Sequence, residues 1–397
     1  MAKVRKVLML IENDIAPEDS RVWAEATTLR DNGFLVSIIS PKGLSCCRES
    51  YICLESIHLY RYQLPQAGRK YIAYAVEYGL AILVTFWLSL EVLWHHGFDV
   101  IHAANPPDMF FLIGLFYRII GKKFVFDQHD LTPEVFRAKS KNHMKFLYRF
   151  LLFMEWCTYK TADLVIVTNA SFKKIAIERG HVPANNVFVV RNGPDLERMR
   201  LVTPEPELKR GRSYLLVYVG VMAAQDGVEY ALYALDNLVH KRRRHDVLLV
   251  LMGDGDAAES LHTLAHDLEL DSYVHFTGWI DQCDILRYLT VADIGLSPDP
   301  QNGLNEYSTM IKTMEYMALG KPVVAFDLAE TRFSAQNAAL YAIPNRTEDF
   351  ASKIEALLDD EHLRLTIGAI GRKRIEEELN WSYDKENLLL AYKTLFP

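Results

Sequence analysis

Short apolar runs rich in β-branched residues alternate with helix-length amphipathic stretches along nearly the whole chain. Continuously apolar strands separated by helices are typical of a parallel sheet that helices cover on both faces. In the first half the predicted strands are Val7–Ile11, Leu35–Ser40, Ile57–Tyr62, Val100–Ala103, Phe124–Asp127, Leu164–Thr168 and Val187–Arg191. The predicted helices include Arg21–Asn32, Tyr71–Trp94, Met109–Ile120 and Asn142–Lys160. The pattern therefore predicts an α/β fold.

The segment Met199–Ser213 interrupts this alternation with two prolines and alternating charges, and we interpret it as an interdomain linker. Three helical segments follow Thr347. The strands predicted beyond the linker are Leu215–Val219, Val247–Met252, Val274–Thr277, Ile294–Ser297 and Pro322–Phe326. The sequence thus predicts two doubly wound, Rossmann-like domains that face a cleft, at 1–200 and 201–377, and a terminal helix over 378–397. Ligands of such sheets bind outside the carboxyl ends of the strands.

Charge and cysteine content exclude several classes of protein. The net charge of −7 argues against a nucleic-acid binder, whose affinity comes largely from neutralising phosphates. The cysteines number five and lack C-x-x-C spacing, which argues against a disulfide framework and a zinc site. We therefore expect a cytoplasmic protein.

Two segments suggest contact with a membrane. The apolar run Tyr78–Leu90, between Glu77 and Glu91, has 13 residues, whereas a spanning helix needs roughly 20. We expect a helix buried between sheet and solvent, with an interfacial helix as the alternative. The stretch Arg137–Arg149 interleaves basic and aromatic residues, which suits anionic lipid head groups, a pyrophosphate or a solvated helix face.

Polar residues follow the first predicted strands. The loop Glu12–Arg21 lacks a glycine-rich phosphate fingerprint, and Asp19 or Ser20 is expected to cap the next helix. Arg21 opposes the helix dipole in the first turn, so it faces either a ligand or solvent. The loop AANPPD is made rigid by two prolines. It is a structural turn or, through Asn105, part of an acceptor site.

The run Phe124–Leu131, FVFDQHDL, ends in polar residues. His129 lies beside Asp127 and Asp130 at the carboxyl end of the predicted strand. Imidazole is the side chain that titrates near neutral pH. This position favours a functional His129, although a structural histidine is the alternative.

Three loops of the second half carry glycine at the end of a strand: Gly220–Gly227, Gly253–Asp256 and Gly278–Trp279. Glycine lets the backbone approach a phosphate or a base closely. An exposed Trp279 suits a nucleobase. The Asp-x-Asp within GDGD has the form of a metal motif, but an ordinary strand-to-helix turn has the same sequence.

The segment Ser297–Asp327 combines the largest number of candidate features. A helix is expected to begin near Ser308, with Ser308 or Thr309 as its cap, so that its first amides form an anion site. Lys312 lies close enough to the helix start to reach a phosphate. Glu315 needs polar partners on an otherwise apolar helix, and ribose hydroxyls provide them.

At this point the sequence resembles the retaining glycosyltransferases of family 4, which have the GT-B fold. Met314–Ala325, MEYMALGKPVVA, is similar to the family signature E-A-M-A-x-G-x-P-V-V-A. Trp381–Tyr392 resembles the closing W-x10-Y helix, which crosses back onto the first domain. Further pieces fit in order: Phe126–Leu131, Val189–Asp195, Tyr218–Gly220, Gly253–Gly255 and Phe276–Trp279.

The resemblance implies an acceptor-binding first domain and a second domain that binds a nucleotide sugar. Glu315 would hold the ribose, amides of Ser308–Met310 would meet the diphosphate or sugar, and His129 would lie near the donor sugar and the acceptor. No metal or other cofactor is expected. The catalytic candidates are His129, Glu315 and Lys312; the acceptor-side candidates are Arg21, Asn105 and Asp130. The donor-binding candidates are Gly220, Gly227, Gly253, Trp279, Glu306, Tyr307, Ser308, Thr309, Met310 and Arg332.

Two departures from the family pattern concern the donor phosphates. The first glutamate of the E-x7-E pair falls on Tyr307, with Glu306 one residue early. The arginine and lysine of the G-R-x4-K-G loop fall on Val221 and Asp226. Replacement cations are then expected among Lys312, Arg332 and Arg21.

The sequence therefore predicts retaining transfer of a sugar from a UDP- or GDP-linked donor to a glycan or lipid-linked acceptor, in cell-surface polysaccharide synthesis. Peripheral contact with the inner face of the cytoplasmic membrane is part of this prediction. The alternatives are a catalytically weak binding or activating subunit and a sugar-nucleotide epimerase.

Overall fold

The computed structural model describes residues 4–43, 49–63, 71–139 and 144–396, and the side chains of its second helix from residue 76 onward. The chain divides into two compact units. The first comprises Met1–Arg191 together with Asp384–Pro397, and the second comprises Asn192–Tyr383. The sequence placed these divisions at 200/201 and 377/378.

The first unit contains an eight-stranded sheet in the order β3-β4-β2-β1-β5-β6-β7-β8. All neighbours are parallel except β3 and β4. The strands are β1 Lys6–Leu10, β2 Leu35–Pro41, β3 Tyr51–Leu54, β4 Ile57–Tyr62, β5 Val100–Ala104, β6 Lys123–Gln128, β7 Leu164–Val167 and β8 Val187–Val189. The helices are α1 Ser20–Asp31, α2 Tyr71–His95, α3 Phe111–Arg118, α4 Thr132–Lys139, α5 Lys145–Thr161 and α6 Ala170–Glu178.

The second unit contains a fully parallel six-stranded sheet in the order β11-β10-β9-β12-β13-β14. Its strands are β9 Tyr214–Val219, β10 Val247–Met252, β11 Val274–Gly278, β12 Ile294–Ser297, β13 Val323–Phe326 and β14 Ala339–Ala342. Its helices are α7 Val228–Asp236, α8 Ala258–Asp267, α9 Gln282–Val291, α10 Ile311–Ala318, α11 Ala329–Ala335, α12 Thr347–Asp359 and α13 Glu361–Arg374. The helix α14, Trp381–Leu395, closes the chain, and its residues from Asp384 onward belong to the first unit.

The predicted linker Met199–Ser213 is part of the second unit rather than a free connection. Met199 is buried in the core of that unit beside Leu215. The Lys209 ammonium lies 2.7 Å from the Asp293 carboxylate. The two prolines and the charges therefore mark a surface segment that packs on its own domain.

The predicted bounds of α2 are confirmed to within one residue, whereas the prediction of its burial is wrong. The helix has 25 residues, and Val76–His95 is long and apolar enough to cross a membrane by length and composition alone. One side packs on the sheet through Ala81, Ile82 and Val92, whereas other large apolar side chains are exposed.

Each sheet has one point at which the strand order reverses. In the first sheet this point lies between β1 and β5, and in the second it lies between β9 and β12. Loops that leave neighbouring strands diverge there, which opens a crevice at the carboxyl ends. Candidate ligand-binding residues are therefore sought in the loops after these strands.

Candidate active site

Three glycines of the second unit allow its loops to pack against one another. A Cβ at Gly253 would lie 2.0 Å from the Gly220 carbonyl oxygen, and one at Gly227 would lie 2.5 Å from the Pro300 ring. A Cβ at Gly220 would lie 3.5 Å from Cε of Lys312. These glycines thus allow the loops after β9, β10 and β12 to pack against one another.

Lys312 lies at the reversal point of the second sheet and is already paired. Its ammonium is 2.6 Å from the Asp299 carboxylate and 4.9 Å from the centre of the Tyr218 ring. The Ser297 hydroxyl donates to the other Asp299 oxygen at 2.6 Å. Burial alone would lower the pKa of Lys312, but Asp299 and Asp226 together outweigh it and raise the pKa. Lys312 is therefore a charged group whose charge is balanced within the protein.

The helix α10 begins later than predicted. Its first residue is Ile311, and Met310 precedes it without a side-chain cap. The Ser308 hydroxyl, predicted as a cap, instead donates to the Leu304 carbonyl at 3.0 Å. The first amides of any helix lack intrahelical acceptors. Without a side-chain cap, those of α10 suit an anion.

Glu315 lies one turn into this helix, three residues after Lys312. Burial raises the pKa of its carboxyl, and the nearby Lys312 ammonium only partly offsets the increase. Within the described part of the chain no donor is hydrogen-bonded to this carboxylate. A half-buried carboxylate that lacks such a partner favours a hydrogen-bond donor from a bound ligand.

Tyr316 fixes α10 to the sheet, and sequence reasoning missed it. Its hydroxyl accepts from the Val219 amide at 3.0 Å and donates to the Leu296 carbonyl at 3.3 Å. Its ring packs where a Cβ at Gly295 would lie 2.3 Å away. Both the amide and the carbonyl belong to the strands at the reversal point. The signal available in the sequence was a glycine, Gly295, within a predicted strand and a tyrosine on the helix that follows it.

The loop before α10 contains the departure from the family pattern. The buried Asn305 donates to the Gln225 carbonyl at 2.8 Å and so joins this loop to the one after β9. Tyr307 is 39% exposed. Glu306 accepts from Gln301 at 3.2 Å. Thr309 is half-buried beside them.

The remaining donor-side candidates are solvent-exposed. The Arg332 guanidinium lies 2.5 Å from the Asp327 carboxylate and 4.1 Å from the centre of the Tyr341 ring. Trp279 follows β11 and is 82% exposed. Asp327 therefore already balances the charge of Arg332, whereas Trp279 presents an open aromatic face.

Arg21 neither faces a ligand nor solvent, contrary to both predicted alternatives. It is buried, and its guanidinium donates to both Asp127 oxygens, at 2.7 and 3.3 Å, and to the Val190 carbonyl at 2.8 Å. The Glu25 carboxylate lies 3.1 Å away. The predicted cap is confirmed, since the Asp19 side chain accepts from the Val22 amide. Arg21 thus organises the interior of the first unit.

Asp127 orients the imidazole of His129. Burial alone would raise the pKa of Asp127, but Arg21 and His129 outweigh it and hold the pKa well below its usual range. Nε2 of His129 is 2.5 Å from this carboxylate and 3.0 Å from Arg21 Nε. One nitrogen cannot donate to the first and accept from the second. The ionised carboxylate is closer, so the proton belongs on Nε2, and Nδ1 is left as an acceptor.

Asn105 positions the backbone that carries His129. Its amide oxygen accepts from the amides of His129 and Asp130, at 2.7 and 3.1 Å. Its amide nitrogen donates to Asp108 at 2.7 Å and to the Asp130 carbonyl at 2.8 Å. Burial raises the pKa of the Asp130 carboxyl. The buried Asn105 is a structural partner of the histidine loop.

A second histidine joins the same cluster and links it to the end of the chain. Nδ1 of His102 is 2.9 Å from the Tyr392 hydroxyl of α14. Nε2 lies 3.3 Å from Glu25 and 3.4 Å from Asp127, so these three side chains have the spacing of metal ligands. The Arg21 guanidinium is hydrogen-bonded to Asp127 and lies 3.1 Å from Glu25, and burial followed by Asp127 raises the pKa of Glu25 well above its usual range. The Arg21 guanidinium is the positive charge that faces these two carboxylates.

Glu12 is a further residue that sequence reasoning left out. It lies two residues after the end of β1, at the reversal point of the first sheet, and is 6% exposed. Burial, with a contribution from Glu77, raises the pKa of its carboxyl to about 7. A buried carboxyl that titrates near neutral pH next to a binding loop is a functional-site candidate. Its place directly after an apolar strand was the available signal.

Two family models match the chain. The model described as Glycosyltransferase Family 4 matches residues 20–198, and the model described as Glycosyl transferases group 1 matches residues 213–360. The division between them falls near the boundary of the two units.

Several curated proteins are similar to this chain. An uncharacterized glycosyltransferase of Methanocaldococcus jannaschii is 22% identical over 60% of this chain and 62% of its own. A GDP-mannose-dependent phosphatidylinositol monomannoside mannosyltransferase of Mycobacterium tuberculosis is 25% identical, over 55% and 58%. The UDP-Gal:α-D-GlcNAc-diphosphoundecaprenol α-1,3-galactosyltransferase of Escherichia coli is 22% identical, over 69% and 70%. The chain covers less than two thirds of the length of the first two.

Solved structures share the fold over its full length. A sucrose-phosphate synthase from Thermosynechococcus elongatus superimposes with a TM-score of 0.78 at 18% identity, covering 99% of both chains. Anabaena HepE in complex with UDP-glucose gives a TM-score of 0.73 at 16% identity, covering 98% of this chain and 99% of its own. The predicted pair of α/β domains with parallel sheets is confirmed. The protein belongs to the family 4, group 1 glycosyltransferases with the GT-B fold.

Proposed function

We propose that the protein is a retaining glycosyltransferase that uses a nucleoside diphosphate sugar. The observation that carries the proposal is the start of α10 at the reversal point of the second sheet. Uncapped helix amides, the Lys312 ammonium and the Glu315 carboxylate lie there within one helical turn. These are the groups that a diphosphate attached to a ribose requires.

The parts of the donor are divided among these groups. The helix amides donate hydrogen bonds to the diphosphate, because their N–H groups lie at the positive end of the helix dipole. Glu315 accepts hydrogen bonds from the ribose hydroxyls. The exposed face of Trp279 is available to the base. UDP- and GDP-linked sugars are the proposed donors, in keeping with the donors that the E. coli and M. tuberculosis relatives are named for.

Transfer with retention is proposed to proceed by attack on the face from which the diphosphate departs. The amides and Lys312 stabilise the charge that develops on the leaving group. In the proposed step the acceptor hydroxyl oxygen bonds to the anomeric carbon and its proton passes to the departing diphosphate. Nδ1 of His129, held in place by Asp127, is proposed to accept a hydrogen bond from a sugar hydroxyl. No metal ion has a role in this scheme.

The proposed acceptor is a glycan or a lipid-linked glycan of the cell surface, and the proposed location is the cytoplasmic side of a membrane. The names of the two relatives support this choice, because one acts on a phosphatidylinositol mannoside and the other on a diphosphoundecaprenol-linked sugar.

A product analysis tests the proposal. The full chain is incubated with UDP-glucose, UDP-galactose or GDP-mannose and a panel of glycosyl lipids, and release of the nucleoside diphosphate is measured. We expect release with one donor, and a product whose anomeric proton coupling matches that of the donor. Inverted products would overturn retention, and no release with any donor and acceptor would overturn transfer.

The second candidate is a catalytically weak GT-B protein that binds or activates a partner. It is favoured by Tyr307, Val221 and Asp226 at positions where the family carries a glutamate, an arginine and a lysine, and by the Asp299 that neutralises Lys312. Nucleotide binding without release from the sugar would identify it. A new sugar nucleotide formed without an acceptor would identify an epimerase.

A further inference from the structure

The outward side of α2 is largely apolar, although the helix also packs apolar side chains on the core. The inward side includes Thr85 and Ser89, and the Ser89 hydroxyl is bonded to the Phe86 carbonyl and the Tyr117 hydroxyl. The outward stripe has helical spacing and exposures between 39% and 87%: Val76, Leu80, Leu83, Trp87 and Trp94. A surface helix of a water-soluble domain instead presents mainly polar and charged side chains to solvent.

Two neighbouring helices extend this stripe into one surface. The Phe86 ring of α2 contacts the Phe116 ring of α3, with ring centres 4.9 Å apart, and α3 packs beside α5. The exposed large side chains of α3 and of the two residues that follow it are Leu112, Leu115, Phe116, Ile119 and Ile120. Those of α5 are Phe146, Phe150, Phe153 and Trp156. We call the exposed side chains of these three helices the apolar face. Contiguous patches of this extent mark interaction sites.

The apolar face carries unpaired positive charge at its margins. The exposed cations are Arg118 at the end of α3 and Lys145, Arg149 and Lys160 along α5. Among the described residues none of the four has a carboxylate partner within salt-bridge distance. Glu91, between Trp87 and Trp94, is an exposed negative charge on the same side of α2. The cations contrast with the net charge of −7 of the chain.

A membrane crossing by α2 is incompatible with the fold. The helix lies between β4 and β5, and both strands belong to the same sheet. Both ends of α2 must therefore remain on one side of a bilayer. A helix that lies along a bilayer surface, with its outward stripe toward the head groups and the first acyl carbons, satisfies this constraint.

We propose that the apolar face binds an anionic lipid bilayer. Tryptophan and phenylalanine beside lysine and arginine are the composition of an interfacial binding face. A second copy of the chain is a poorer occupant, because a symmetric contact would bring the same four cations toward each other. The proposal does not rest on the donor chemistry, and its failure leaves the transferase activity open.

A vesicle assay with the full chain tests the proposal. Vesicles of phosphatidylcholine alone are compared with vesicles that contain phosphatidylglycerol as well, by flotation and by tryptophan fluorescence. We expect binding to the anionic vesicles with a blue shift of emission, and weaker binding as salt rises. Equal affinity for both vesicle types, or binding to neither, would overturn the proposal.

Matched variants locate the contact. Ile119→Glu and Trp94→Glu change side chains that are 84% and 87% exposed, and Leu365→Glu is the control at 65% exposure on α13. The first two are expected to lower vesicle affinity at least about tenfold without a change in melting temperature, because the bilayer excludes the new charge. The control is expected to bind as the parent does. Charge reversal by Lys145→Glu with Arg149→Glu is expected to reduce affinity by about fivefold or more for each residue.

Two outcomes would contradict this assignment of the face. One is retention of vesicle affinity by Ile119→Glu and Trp94→Glu. The other is a dimer, seen by sedimentation, that Ile119→Glu abolishes while the parent binds no vesicles, since the second copy would then be the occupant.

Discussion

At the scale of single residues, buried charge decides which candidates are free to act. Lys312 and Arg21 were both expected to replace missing phosphate cations, yet each already has a carboxylate partner in the protein. His129 retains a free ring nitrogen and Glu315 a carboxylate without a described donor. These two residues therefore remain the strongest catalytic candidates.

The pair of Lys312 and Asp299 predicts separable effects on stability and turnover. Lys312→Ala is expected to lower the free energy of unfolding by about 3 kcal/mol, because it leaves a buried, unpaired carboxylate. Turnover is expected to fall about 100-fold through loss of leaving-group stabilisation. Denaturant unfolding and nucleotide release measure the two effects.

Two further variants complete this experiment. Lys321→Ala removes a half-buried lysine that donates to the Thr290 carbonyl, and turnover is expected to stay near that of the parent. The double variant Lys312→Met with Asp299→Asn is expected to recover stability but not turnover. Near-normal turnover in Lys312→Ala would remove this lysine from the site.

Glu12 predicts a pH dependence of stability. Its pKa is raised to about 7 by burial and by Glu77, so the folded protein holds a proton that the unfolded chain releases above about pH 4.5. Stability from this group is full below that pH and falls as pH rises toward 7. Relative to Glu12→Gln, the parent should lose about 3 kcal/mol between pH 4.5 and 7. Denaturant unfolding of both proteins across this pH range measures the effect. An equal change in the free energy of unfolding of the parent and of Glu12→Gln would contradict the raised pKa of Glu12.

Sequence reasoning identified these residues better than their partners. His129, Lys312 and Glu315 follow strands, so their position at the carboxyl edge was predictable. Asp299 and Asp127 were not assigned as partners, because ion pairs depend on how strands and loops are brought together. For the same reason Arg21 was expected at the surface and lies in the interior.

At the scale of elements, most strands and helices follow from the alternation of apolar runs. The edge strand β3 was missed because its apolar run, YICL, has only four residues, of which two are exposed and two are half-buried. The start of α10 was placed at Ser308 because hydroxyl residues commonly cap helices. The hydroxyl of Ser308 is instead used within the preceding loop.

The close packing of loops predicts which glycine tolerates substitution. Gly253→Ala would place a methyl group against the Gly220 carbonyl, at a φ of 134°. It is expected to cost about 2 kcal/mol or more. Gly303→Ala meets no atom within 4 Å and is the control, expected to change stability by less than about 0.5 kcal/mol. Thermal unfolding compares them, and equal stabilities would contradict the packing described.

The terminal helix predicts a second stability effect. Tyr392→Phe removes the hydroxyl that is bonded to His102 in the buried cluster. It is expected to cost about 1–2 kcal/mol, since His102 then loses a partner in an apolar interior. Tyr383→Phe, at a residue 48% exposed, is expected to change stability by less than about 0.5 kcal/mol. A Tyr392→Phe variant as stable as the parent would show that α14 is held by packing alone.

At the scale of the whole molecule, the two parallel sheets place both candidate sites at strand-order reversals. The sequence predicted two α/β domains and the edge of each sheet that carries the site, because alternating strands and helices imply parallel order. The apolar face could not be foreseen, because it depends on α2, α3 and α5 lying side by side. The Tyr78–Leu90 run alone gave a helix that was expected to be buried.

The central claim is that the start of α10 binds a nucleoside diphosphate. Calorimetric titration of UDP and GDP into the parent and into Glu315→Ala tests it most directly. We expect one nucleotide to bind the parent at a single site, and the variant to bind it about tenfold or more weakly, because the ribose loses its charged partner. Absence of binding by both nucleotides, or equal affinity of parent and variant, would contradict the claim.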